Sequence, residues 1–209
     1  ADLCAAGWSF DEDEGRCTRC LQGTFSTGPG SANSSCQPCA SGRFSDTLGA
    51  STCTSCPAGS FTESHGQTAC ISCPSGTYGE TVGMMECAPC SASHDANLWT
   101  TMRSLETKGT SQWVPIDGAT SPLSCGCDIG ARWKNDANGT ECIPCETEGM
   151  ECVGMGDVRI DEGYMSDIPV SVFKCFGDHR RCSGGVPGNT CKPGRMGLSC
   201  SECIAGKTP

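Results

Sequence analysis

Apolar residues never gather into a long continuous stretch along this chain. From Cys17 to Cys90 the aromatics come singly, isolated among Ser, Thr and Gly and set at a fixed distance from paired cysteines. This segment resolves into four near-copies, each opening with a C-x-x-C pair, and the second, third and fourth pairs recur every 17 residues. After the second cysteine of each pair a Gly stands at the third place and an aromatic at the fifth: Gly23/Phe25, Gly42/Phe44, Gly59/Phe61 and Gly76/Tyr78. A second Gly follows five residues after each aromatic, at Gly30, Gly49, Gly66 and Gly83. Each copy therefore reads as a minimal looped hairpin. The first Gly permits a tight turn, the aromatic plugs the space beside a crosslink, and the second Gly turns the chain back. One aromatic is too little core for independent folding, so units must stack on their neighbours.

Between Cys90 and Cys125 lie 34 residues without cysteine, where the pattern changes. Asp95 is placed to cap a helix whose Leu98, Met102 and Leu105 share a face, ending near Lys108-Gly109. Trp99 and Trp113 lie within this cysteine-free stretch. They serve either as filler for its own packing or as a docking knob for a partner.

Composition then sets the means of stabilisation. Twenty-one cysteines, 28 glycines and 12 prolines in 209 residues, with few aromatics, exclude a single large core and imply a disulfide framework made in an oxidising compartment. The simplest pairing joins the second cysteine of each pair to the first of the next: Cys4–Cys17, Cys20–Cys36, Cys39–Cys53, Cys56–Cys70 and Cys73–Cys87, then Cys90–Cys125 and Cys127–Cys142. Sequence alone does not fix connectivity, and Cys145, Cys152, Cys175 and Cys182 admit several arrangements. Cys191 and Cys200 bound the string C-x-P-G-x-x-G-x-x-C, an EGF or laminin-EGF signature, and Cys203 opens a further loop. Cys4 to Cys20 and Cys127 to Cys145 look like EGF-style loops closing onto a C-x-x-C.

The net charge of −10 and the scattering of the 14 Lys and Arg along the sequence argue against a nucleic-acid partner. No apolar run approaches the roughly 18 to 20 residues of a membrane span. With neither initiator Met nor signal pattern at Ala1, the chain reads as a mature or excised piece. Evenly recurring C-x-x-C pairs, with only three histidines, do not form the paired knuckles of a zinc site. His65, His94 and His179 lie far apart and outside any catalytic signature. The run Asp11-Glu12-Asp13-Glu14 lacks the spaced ligands of an EF-hand and reads as a solvated loop tip. The expectation is of no enzyme, no metal and no cofactor. Sequons at Asn33 and Asn138 fall in turn-rich loops that suit glycans.

Taken together, Cys17 to Cys90 resembles the ephrin-receptor-like cysteine-rich repeats, C-x-x-C-x-x-G-x-[FY]-[ST], related in style to EGF and TNFR modules. Such repeats occur in tandem in large surface proteins of protists, algae and animals. The tail, with Gly163-Tyr164, Phe173-x-Cys175 and Cys182-x-Gly184-Gly185, is similar to segments that follow them. The resemblance implies an extracellular or cell-surface location, reached by the secretory pathway. It also implies a small disulfide-rich fold of tandem short β-hairpins forming an extended rod with little helix. The expected layout is an EGF-like loop (1–20), four repeats (17–90), the cysteine-free insertion (91–124), a second EGF-like loop (125–145) and a cysteine-rich segment ending in a partial EGF-like module (146–209). The implied role is a stalk, flagellar hair, sheath or matrix filament built by contacts with other protein chains, either copies of itself or co-assembling surface proteins. The alternative is a receptor or adhesin ectodomain presenting a ligand-binding surface.

Overall fold

The computed structural model describes residues 4–28, 35–91, 98–107, 110–134, 141–168 and 171–203. The fold is small, disulfide-rich and made of short antiparallel hairpins, with no α-helix among the described residues. Two compact units are present. The first comprises residues 1–90 and 116–124; the second comprises 91–115 and 125–209.

In the first unit, β1 (Trp8–Asp11) pairs with β2 (Arg16–Arg19). Four two-residue hairpins follow, one for each copy of the repeat. They are β3 (Thr24–Phe25) with β4 (Gln37–Pro38), β5 (Arg43–Phe44) with β6 (Thr54–Ser55), β7 (Ser60–Phe61) with β8 (Ile71–Ser72), and β9 (Thr77–Tyr78) with β10 (Ala88–Pro89). Strands this short close no core of their own. Crosslinks hold them, and each disulfide-closed loop of about 15 residues contributes roughly 3 kcal/mol by restricting the unfolded chain.

The second unit opens with β11 (Trp99–Thr107), which pairs with β12 (Thr110–Pro115) on one side and, through Trp99–Thr101, with β13 (Cys125–Cys127) on the other. The helix expected around Leu98, Met102 and Leu105 is therefore a strand; its cap, Asp95, lies outside the described residues. The cause is the partner strand. Thr100 and Thr101, paired with β13, are buried in a sheet where β-branched residues fit well, and Met102 is also buried, whereas Leu105 points to solvent. The remaining strands form hairpins: β14 (Ala131–Trp133) with β15 (Cys142–Pro144), β16 (Met150–Gly154) with β17 (Asp157–Ile160), β18 (Tyr164–Ile168) with β19 (Ser171–Lys174), and β20 (Arg195–Met196) with β21 (Glu202–Cys203). Three small clusters serve as cores: Cys127/Ala131/Cys142, Met150/Cys152/Val158/Ile160 and Met165/Cys175/Cys182/Cys200.

Candidate functional site

The feature repeated most faithfully is the contact by which one hairpin unit of the first half grips the next. It is built from main chain, and three hydrogen bonds recur at every step. The turn Gly donates its N–H to the carbonyl of the residue after the next unit's aromatic: Gly7 to Ser26 (2.7 Å), Gly23 to Ser45 (2.8 Å), Gly42 to Thr62 (2.9 Å) and Gly59 to Gly79 (2.8 Å). That residue in turn donates to the residue following a second glycine: Ser26 to Ala50, Ser45 to Gln67, Thr62 to Met84 and Gly79 to Ala119. The second glycine itself donates back to a cysteine carbonyl: Gly49 to Cys20, Gly66 to Cys39, Gly83 to Cys56 and Gly118 to Cys73.

Glycine is required here by space as well as by φ. A Cβ placed on Gly7, Gly23, Gly42 or Gly59 would sit 2.0, 2.1, 2.2 or 2.3 Å from the carbonyl oxygen of Gly49, Gly66, Gly83 or Gly118, respectively. Backbone meets backbone with nothing between. What fills the interior differs from the expectation that the aromatic is the plug. Phe25, Phe44, Phe61 and Tyr78 are only half-buried, whereas Cys20, Cys39, Cys56 and Cys73 are fully buried, as are Ser26, Ser45 and Thr62 beside the aromatics. Between main chains this close only a small side chain fits. Thr62 also accepts a hydrogen bond from Gly42 N–H on its Oγ1 at 2.8 Å.

The fourth step is made by Gly118 and Ala119, from the end of the cysteine-free stretch. Residues 116–124 thus resume the repeat contact after the β11–β12 hairpin. Sequence reading missed this because Gly118 stands seven residues before Cys125, where Gly49, Gly66 and Gly83 each stand four before theirs. The available signal was Gly118-Ala119-Thr120, which copies Gly49-Ala50-Ser51.

The structure joins Cys4–Cys17, Cys20–Cys36, Cys39–Cys53, Cys56–Cys70, Cys73–Cys87, Cys127–Cys142, Cys145–Cys152, Cys175–Cys182 and Cys191–Cys200, with Cα separations of 5.4 to 6.6 Å. Cys90 and Cys125 are disulfide-bonded as well. Cys175, Cys182 and Cys200 bring three sulfurs within 4.8 Å of one another. All three belong to disulfides, so none is the thiolate that a zinc site takes.

The two tryptophans singled out earlier have partners inside the second unit. Trp99 meets Trp133 edge-on at 5.3 Å between centroids, and Trp113 Nε1 donates to Asp157 Oδ2 at 2.9 Å. Both remain half-exposed. Glycine spacing recurs in this unit with a different filler: a Cβ on Gly156 would strike the Trp133 ring, and one on Gly149 the Tyr164 ring. Tyr164 donates its hydroxyl to Glu148, and this bond to a carboxylate holds its ionisation above the ordinary tyrosine value. Asn33 and Asn138, with their sequons, lie outside the described residues.

Among the described residues no helix is long and apolar enough to cross a membrane. The disulfide framework suits an extracellular setting. A comparison with curated proteins finds no match. The family described as tyrosine-protein kinase ephrin type A/B receptor-like matches residues 27–69 and 64–101. Those two matches run through copies whose glycines and small buried side chains interlock, so over residues 27–101 this chain is similar to ephrin type A/B receptor-like cysteine-rich repeats.

Proposed function

We propose that the chain is a non-catalytic structural segment of an extracellular protein, an extended stack of repeats that builds a stalk, hair, sheath or matrix filament through contacts with other protein chains. The observation that supports this reading most directly is the four-fold recurrence of one backbone-only step between repeats. The conserved features of each unit go into gripping the next unit, which is the economy of a repeat array rather than of a ligand pocket. The receptor or adhesin alternative draws support from the ephrin-receptor likeness of residues 27–101.

Electron microscopy and fractionation of the natively isolated parent protein separate the two. Recovery in insoluble filaments, with this chain located along them by antibody, is the expected result. A soluble parent that forms a one-to-one complex with a discrete ligand overturns the structural reading in favour of the receptor.

A further inference from the structure

Charge is unevenly divided along this acidic chain. Residues 171–209 hold six Lys and Arg against two Asp and Glu, a net +4, while residues 1–170 hold eight against twenty-two, a net −14. The fold concentrates part of that positive charge. Cys182 and Cys191 form an antiparallel bridge, and Lys192 N–H donates to the Arg181 carbonyl at 3.0 Å, which sets Arg181 and Lys192 directly opposite each other. Arg195 joins them through the turn Lys192-Pro193-Gly194-Arg195. It is closed by a 3.0 Å bond from Arg195 N–H to the Lys192 carbonyl, and Gly194 at φ +92° supplies the left-handed position that follows proline in such a turn.

Like charges directly opposite across a strand pair destabilise it. Among the described residues, no carboxylate lies within ion-pair distance of Arg181, Lys192 or Arg195. Asp178 is engaged by Arg180, whose N–H and Nε donate to its Oδ1 at 3.1 and 3.0 Å. Glu202 stands opposite Met196, not opposite Arg195. The cluster is also held rigidly, since Arg181 and Lys192 each adjoin a disulfide cysteine, Cys182 in one bond and Cys191 in the other.

The same chain carries the matching surface. The turn between β1 and β2 is Asp11-Glu12-Asp13-Glu14, in which Asp11 Oδ1 accepts from the N–H of Asp13 (3.0 Å) and Glu14 (3.2 Å) and Glu14 pairs with Arg16. Glu12 and Asp13 are exposed, with no ion pair among the described residues. We infer that the Arg181/Lys192/Arg195 surface is a docking site for the acidic β1–β2 turn of a second copy of this chain. A head-to-tail contact between two different surfaces of like molecules propagates into a filament wherever its rotation does not close a ring. The inference rests on the structural-assembly reading and specifies one of its contacts.

Exposed ion pairs contribute little singly and are screened by salt, so the association is weak and ionic. Sedimentation velocity of the full, disulfide-intact chain at about 20 mM and about 300 mM salt tests it, since the Debye length shrinks several-fold between them. The expected result is association at low salt, weakened at least about tenfold at high salt and abolished by Arg181→Gln/Lys192→Gln/Arg195→Gln. A Glu12→Lys/Asp13→Lys chain is expected to be monomeric alone. Mixed with an Arg181→Glu/Lys192→Glu/Arg195→Glu chain it recovers association, which also shows that both variants are folded.

Association untouched by the neutralising variant overturns this docking site and leaves the assembly reading standing. A chain that stays monomeric at low salt overturns the docking as well, and the assembly reading then stands or falls on the microscopy of the parent. If that monomer is retained by a heparin matrix through the same three residues, the surface takes an external polyanion instead.

Discussion

At the scale of the residue, the repeat is held by glycines whose missing side chains are themselves the contact. Gly42 combines φ +76° with a position where a Cβ would lie 2.2 Å from the Gly83 oxygen, and backbone cannot yield as a flexible side chain can. Gly15 has a similar φ of +64° but open space around it. Gly42→Ala is therefore expected to destabilise by roughly 2–4 kcal/mol and Gly15→Ala by only about 1 kcal/mol. Denaturation midpoints of the disulfide-intact proteins measure the difference; equal losses would mean that φ alone is responsible and the repeat contact is loose.

Tyr164 offers a pH test. Its pKa is raised because its hydroxyl donates to the Glu148 carboxylate, with the nearby negative charges acting in the same direction. The stabilisation is thus fully present below the ordinary tyrosine pKa and is lost as pH rises through the folded value. In Glu148→Gln the Tyr164 ultraviolet titration is expected to move down toward the ordinary range.

At the scale of the element, hairpins were legible wherever a local code specified them. Gly23, Gly42, Gly59 and Gly76 mark turns, and the cysteine beyond each marks where the return strand is pinned. The β11–β12 hairpin was not legible in this way. Leu98, Met102 and Leu105 fit a helical period, and the alternation that betrays a strand is absent because Thr100, Thr101 and Met102 are all buried in succession. Pairing with Cys125–Cys127, which no local window contains, decides the outcome. The Arg181/Lys192/Arg195 cluster was equally hidden, since a bridge between Cys182 and Cys191 brings together residues that look scattered on paper.

The same pairing predicts how the hairpin moves. Trp99–Thr101 pairs with β13 and Met102–Thr107 with β12; Thr100, Thr101 and Met102 are buried, but Arg103–Glu106 is exposed along the β12 pairing. A two-stranded ribbon in water is marginal. Amide exchange at Arg103–Glu106 is accordingly expected to run on the order of 100-fold faster than at Thr100–Met102, read by native-state hydrogen exchange. Equal protection would point to a further strand covering the ribbon.

At the scale of the whole molecule, covalent bonds replace the core. Among the described residues the fully buried side chains are mostly cysteines, with Met102, Ile160 and Met165 the largest and no aromatic residue among them. A net stability of about 5–15 kcal/mol is usual for a domain, while a single disulfide of this loop size contributes roughly 3 kcal/mol. Losing a few bonds therefore suffices to unfold either unit. The cysteine chemistry makes this separable from metal binding: the sulfurs of Cys175, Cys182 and Cys200 are close together but oxidised, and Cys182 and Cys200 approach to 3.4 Å across two separate disulfides.

Near-UV circular dichroism and backbone amide dispersion are expected to survive excess EDTA unchanged and to collapse in dithiothreitol. Iodoacetamide should label almost no cysteine before reduction. The opposite pattern, with thiols alkylated at once and structure lost to the chelator, would show that thiolates and a bound ion hold the C-terminal cluster. The repeats of the first unit provide the internal control, because their cysteines are joined two by two and offer no comparable group of three sulfurs among the described residues. Collapse of both units under reductant, with neither responding to chelation, is the signature of a chain whose fold is written in its crosslinks and glycines.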